Sequence, residues 1–99
     1  MIVVRNVFHL EFGKTREALA LIKEGVAIQK RAGFIGEPRI LTDVTGPFYT
    51  IVLELALPSL ASMETELPKA MADKDWQANY RKLVALVKSG SREIYQLVE

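Results

Sequence analysis

Ninety-nine residues and 11.1 kDa hold one domain, residues 1–99, since units much smaller than this rarely fold alone. Hydrophobic residues at 49% and charged residues at 25% exclude a disordered or collagenous chain, and a net charge of +1 lacks the basic excess of a nucleic-acid binder. The absence of cysteine excludes disulfides, thiolate catalysis and Cys-ligated zinc or iron–sulfur sites.

Ile2 to Phe12 alternates as a strand. One face carries Val4, Asn6, Phe8, Leu10 and Phe12, the other Val3, Arg5, Val7, His9 and Glu11. Gly13 ends it, and a helix is predicted from about Thr15, its N-cap, to Ala32. Ala18, Leu21, Ile22, Gly25, Val26 and Gln29 form its apolar side, and Gly33 stops it. Two strands follow, Arg39–Thr45 and Phe48–Leu57, joined at Gly46-Pro47. In the second, Tyr49, Ile51, Leu53, Leu55 and Leu57 lie opposite Phe48, Thr50, Val52, Glu54 and Ala56. Pro58-Ser59 opens a helical region with Leu60, Met63 and Leu67 on one side, and Pro68 demands a kink or restart. Asp73 or Asp75 caps a further helix carrying Trp76, Tyr80, Leu83, Val84 and Val87 at helical spacing. Ser89-Gly90-Ser91 reads as a break before a last strand, Arg92–Val98.

The order β-α-β-β-α-β, with its second helix interrupted, predicts an α+β, ferredoxin-like fold: a four-stranded antiparallel sheet with helices on one face. The other face then needs cover, and a mean hydropathy of +0.13 is high for so small a chain. A homodimer packed through Val3, Arg5, Val7, Val52 and Glu54 supplies it, with Arg5 and Glu54 paired so that neither charge is orphaned. No apolar run reaches ~18 residues, so no membrane span is expected. Met1-Ile2-Val3-Val4-Arg5 lacks the features of a signal peptide, and a cytoplasmic setting is expected by default.

Asn6 is a single amide among Val, Phe and Leu on the side beneath the helices. It is either an internally satisfied core amide or the orienting group of a small-molecule pocket. Trp76 and Tyr80 share a helical face, as core packing or as pocket wall. Asn6, Phe8, Tyr49, Trp76, Tyr80 and Tyr95 are the candidate lining of one cavity. Weaker candidates are His9, as acid or base, and Arg92, as the partner of an anionic substrate. No phosphate loop, HExxH or GxSxG motif occurs, and no metal site or cofactor is expected. The strand order also suits an RNA-recognition module, but the basic-Gly-aromatic pattern is missing, so no nucleic-acid partner is expected.

The runs Arg5-Asn-Val-Phe-His-Leu-Glu-Phe-Gly-Lys14, Asp73-Lys-Asp-Trp-Gln-Ala-Asn-Tyr-Arg-Lys-Leu-Val84 and Ser89-Gly-Ser-Arg-Glu-Ile-Tyr95 resemble the dimeric α/β-barrel superfamily. Within it the chain is similar to NIPSNAP-like proteins over nearly its whole length. The resemblance implies a ferredoxin-like monomer that pairs with itself into a barrel, with a ligand cavity between sheet and helices. The superfamily includes antibiotic-biosynthesis-type, cofactor-free monooxygenases, haem-degrading monooxygenases and many members of unknown role. Asn6 matches a pocket Asn of the haem-degrading branch. That branch's Trp has no counterpart in Leu60–Leu67, and its ligating His falls near Tyr80. Three functions stay open: a pocket homodimer for a small apolar or aromatic ligand, with or without monooxygenase activity; a non-catalytic binding or protein-interaction dimer; and a haem-handling protein.

Overall fold

The computed structural model describes residues 1–98. Its elements are β1 (Ile2–Leu10), α1 (Thr15–Arg31), β2 (Arg39–Thr42), β3 (Thr50–Leu57), α2 (Leu60–Met71), α3 (Lys74–Val84) and β4 (Val87–Gln96). The strands form one antiparallel sheet ordered β2-β3-β1-β4. This is the α+β, ferredoxin-like arrangement.

The two strand faces divide as their alternation predicts. Ile2, Val4 and Leu10 of β1 and Ile51, Leu55 and Leu57 of β3 are buried toward the helices. Two apolar clusters result. Ile2, Val4, Leu55 and Leu57 meet Met63 of α2 and Phe34 of the connector between α1 and β2, whereas Leu10 and Ile51 meet Ala18, Ile22 and Leu83 of α1 and α3. Helix α3 packs mainly on α1 rather than on the sheet.

Several boundaries differ from the sequence expectation. The N-cap of α1 is Lys14, not Thr15, and no side chain caps it. Strand β1 stops at Leu10, so Glu11 and Phe12 leave the sheet, and Glu11 N–H donates to Leu86 O at 2.9 Å. The β2–β3 loop takes residues 43–49 out of both strands. There Tyr49 has φ 58°, a conformation uncommon for a side chain with a Cβ. It is held by Leu10 N–H donating to Tyr49 O and by ring contact with Phe12 at 5.1 Å.

Helix α2 continues through Pro68 to Met71. The proline lies on the exposed side with Glu64, so water can take up the carbonyl that lost its donor. Leu60 is exposed, and the buried stripe is Met63, Glu66 and Ala70. The restart comes later, at Asp73, whose carboxylate accepts from Asp75 N and Trp76 N at 2.8 and 3.1 Å.

The largest correction concerns Ser89-Gly90-Ser91, which lies inside β4 and pairs with His9, Phe8 and Val7. Val87 accordingly begins a strand instead of extending α3. A Cβ on Gly90 would come within 2.6 Å of Val7 O. Glycine is here the residue that lets two backbones approach, beside a register shift at His9/Leu10.

On the face away from the helices, one rung crosses all four strands: Arg39 opposes Glu54, Glu54 opposes Arg5, and Arg5 opposes Glu93. The expected Arg5–Glu54 pair is present, with Nε 3.5 Å from Oε2, and Arg39 bonds the other Glu54 oxygen. The neighbouring rungs are Leu41-Val52-Val7-Ser91 and Ala56-Val3-Tyr95.

Candidate functional site

β1 lies inside the sheet, paired with β3 on one edge and β4 on the other. Asn6 points to the helix side, in a rung with Ile40, Leu53 and Arg92. Its Oδ1 accepts from Arg92 Nε at 2.7 Å. The amide is therefore satisfied by a guanidinium from the neighbouring strand, 86 residues along the chain.

This pair stands at the mouth of a cavity of about 40 Å³ whose walls include Val4, Leu53, Leu55, Phe34 and Met63, with Gln29 as a further polar group. Such a volume holds one to a few waters, at roughly 10–15 Å³ of probe volume each. The helices leave β4 uncovered on both faces, so Gly90, Arg92 and Ile94, which share the helix side with Asn6, are exposed. With Asn6 and Phe8 they form a strip of the helix-side face, the trough, that adjoins the cavity through Asn6 and Arg92.

The other candidates are dispersed. Tyr95 pairs with Val3 and so lies on the opposite face, where its hydroxyl donates to Glu93 at 2.9 Å. That carboxylate pushes the Tyr95 pKa above the ordinary phenol value, mainly through the hydrogen bond and then through its charge. Trp76 and Tyr80 stack at 5.1 Å with an 8° interplanar angle, but neither lines the cavity beneath Asn6. Tyr49 belongs to a separate, open surface cleft of about 590 Å³, with Thr15, Arg16, Thr42, Asp43 and Phe48. Although larger, that hollow is not lined by Asn6, and Asp43, Phe48 and Tyr49 of its wall belong to the β2–β3 loop. His9 faces the bare side. Its Nδ1 lies 3.2 Å from Thr50 Oγ1, whose proton is directed to Pro47 O at 2.9 Å, so the imidazole braces the loop.

Val3, Val7, Val52 and Glu54 lie on the bare face with Arg5 and are half-buried within the single chain. Among the described residues no group of three or more His, Asp or Glu is arranged to hold a metal ion, and no helix is long and apolar enough to cross a membrane.

One group escaped the sequence reading. Glu66 is buried on α2, where Ile35 N–H donates to Oε1 at 3.0 Å and Lys69 Nζ to Oε2 at 2.7 Å. The Lys69 hydrogen bond and then the Ile35 N–H hold its carboxyl below the usual range. This bond pins the α1–β2 connector, whose Phe34 and Pro38 wall the cavity. The signal was its spacing, three residues after Met63 and four before Ala70 on the apolar stripe.

Neither a family model nor a curated protein sequence matches the chain. Solved structures do. A NIPSNAP family protein from Agrobacterium tumefaciens is 27% identical with a TM-score of 0.88, over 99% of this chain and 86% of that one. An uncharacterized NIPSNAP domain protein from Burkholderia xenovorans gives 19% identity and a TM-score of 0.87, over 99% and 95% of the two chains. A cofactor-independent oxygenase from Streptomyces nogalater is more distant, at 13% identity and a TM-score of 0.73, over 99% and 93%. The structural neighbours are thus NIPSNAP-domain proteins, with monooxygenase-type folds at lower similarity.

Proposed function

We propose that the chain is a homodimer, closed sheet face to sheet face, that binds a small apolar or aromatic ligand in the trough between sheet and helices. The observation that carries the ligand reading is the Asn6–Arg92 pair at the mouth of an apolar cavity, beside a strand the helices leave open. A few placed polar groups in an apolar concavity are what small-molecule sites consist of. The dimer is supported by the rungs Leu41-Val52-Val7 and Ala56-Val3-Tyr95, which leave apolar side chains on a face no helix covers. The Arg5 Nε–H, buried and without a hydrogen-bond acceptor, lies on that same face.

Binding is favoured over oxygenation or haem chemistry because Asn6 is not joined by Trp76, Tyr80 or Tyr95, and the imidazole of His9 faces away from it. The non-catalytic alternative of the sequence reading is therefore the one preferred.

Sedimentation at micromolar concentration should give about twice the chain mass. Val7→Asp should yield a folded monomer, whereas Asn6→Asp should remain dimeric. A wild-type monomer would refute the dimer. For the trough, the neutral aromatic probe N-phenyl-1-naphthylamine should bind saturably, one per chain. Ile94→Glu, which sets a charge in the trough floor, should weaken it about tenfold or more. Failure of the probe to saturate would refute the trough.

A further inference from the structure

Arg92 differs from the other sheet arginines in what it faces. Arg5 and Arg39 both meet the carboxylate of Glu54, so their charges are compensated. Arg92 meets the neutral amide of Asn6, and among the described residues no carboxylate lies within ion-pair distance of it. One of its five N–H donors, Nε–H, is spent on Asn6, which fixes the plane of the guanidinium and leaves the terminal amino groups of the fork unengaged. An aspartate in place of Asn6 would anchor the same nitrogen and cancel the charge; an asparagine anchors it and keeps the charge.

The surroundings strengthen whatever that charge attracts. The cavity beside it is walled by Val4, Leu53, Leu55, Phe34 and Met63. Low-dielectric walls raise the strength of an ion pair formed against them. A planar fork of parallel N–H groups matches a carboxylate or sulfonate in bidentate fashion.

We propose that Arg92 is the anion-recognising group of the trough, held in position by Asn6, and that the ligand is an apolar or aromatic molecule with one anionic head such as a carboxylate. The head lies against the Arg92 fork while the apolar body covers Phe8 and Ile94. This rests on the trough reading above and adds the charge of the ligand to it.

The test compares two probes that differ by one sulfonate, 8-anilinonaphthalene-1-sulfonate and N-phenyl-1-naphthylamine, titrated by fluorescence against the whole protein. The anionic probe should bind about tenfold more tightly than the neutral one, the scale of one charge-assisted hydrogen-bonded pair. Arg92→Met should bring the anionic probe to the level of the neutral probe titrated against the same variant. Asn6→Asp should remove the same preference with Arg92 still present. Added salt should weaken only the anionic probe. If both probes bind alike, or if the preference survives Arg92→Met, Arg92 is not the anion site and the trough reading stands. If neither probe saturates, the trough itself is refuted and the assignment of Arg92 goes with it.

Discussion

Strands β3 and β4 flank β1 with antiparallel ladders of similar length, Ile2–His9 on one side and Ile2–Leu10 on the other. In backbone terms the two halves of the sheet are nearly equivalent. In side-chain terms they are opposites. β3 contributes Ile51, Leu55 and Leu57 to the core, and β4 contributes no buried residue. The helix layer sits over β3 and β1, with Met63 against Leu55 and Leu57 at one end and Ile22 and Leu83 against Ile51 at the other. Hydrogen-bond ladders thus hold both strands in register, while hydrophobic burial stabilises mainly one half, β4 adding only the partly buried Val87. The uncovered half is free to carry the polar groups that a ligand meets.

Mutations should split along this line. Ile51→Ala empties a site that is 0% exposed and should lower unfolding free energy by about 2–4 kcal/mol in urea denaturation. Ile94→Ala, in the open half and across β1 from Leu55 at the Val4 rung, should stay within about 0.5 kcal/mol. Equal effects would end the distinction.

Gly90 is the exception inside the open half, since a Cβ there meets the carbonyl of Val7 rather than solvent. Gly90→Ala should cost about 1–3 kcal/mol by the same measurement. A neutral substitution would mean that β4 can move off β1 without penalty.

Glu66 sharpens the covered half. Its native pKa is depressed by Lys69 and by Ile35 N–H, so its contribution is present above the ordinary carboxylate range and is lost as pH falls through its lowered native value. Glu66→Gln should therefore lower the urea midpoint at neutral pH, and the gap from wild type should narrow as pH falls below the ordinary carboxylate range. A gap that persists in acid would show that packing, not charge, is responsible.

The smallest effect belongs to Tyr95, exposed in the open half. Its raised pKa means that the Glu93 bond stabilises below the ordinary phenol range and is lost as pH rises through the native value. Tyr95→Phe should leave neutral-pH stability nearly unchanged and remove a phenol ionisation lying above the ordinary phenol value from an ultraviolet pH titration. Loss of an ionisation at or below the ordinary phenol value would contradict the assignment.

Local pattern made most of the architecture legible. Alternation in β1 and β3 sorted their faces correctly because each is half-buried, and Arg5 and Glu54 paired as opposite charges on a shared face. β4 was partly hidden, since Ser-Gly-Ser signals a turn unless another backbone lies close, and that backbone comes from the far end of the chain. The site was less legible for a similar reason. Asn6 stood out as a lone amide, but its partner Arg92 is fixed only by the β1–β4 register. Trp76 and Tyr80 share a face, yet where that face points depends on how α3 packs on α1. There a Cβ at Gly25 would come 3.1 Å from Asn79 Oδ1. Tyr95 was separable from Arg92 in advance: residues three apart on a strand point to opposite faces.

The rung Arg39-Glu54-Arg5-Glu93 bears on how the chain avoids assembling wrongly. A slip of one residue between β1 and β3 turns every side chain to the wrong face, and the core rejects it. A slip of two residues preserves the faces, and apolar pairing alone discriminates it poorly. That slip would set Arg5 against Val52 or Ala56 and Glu54 against Val7 or Val3, separating opposite charges that the native register joins. The charged rung acts as an alignment mark, specifying which of several equally greasy pairings is correct while the sheet forms.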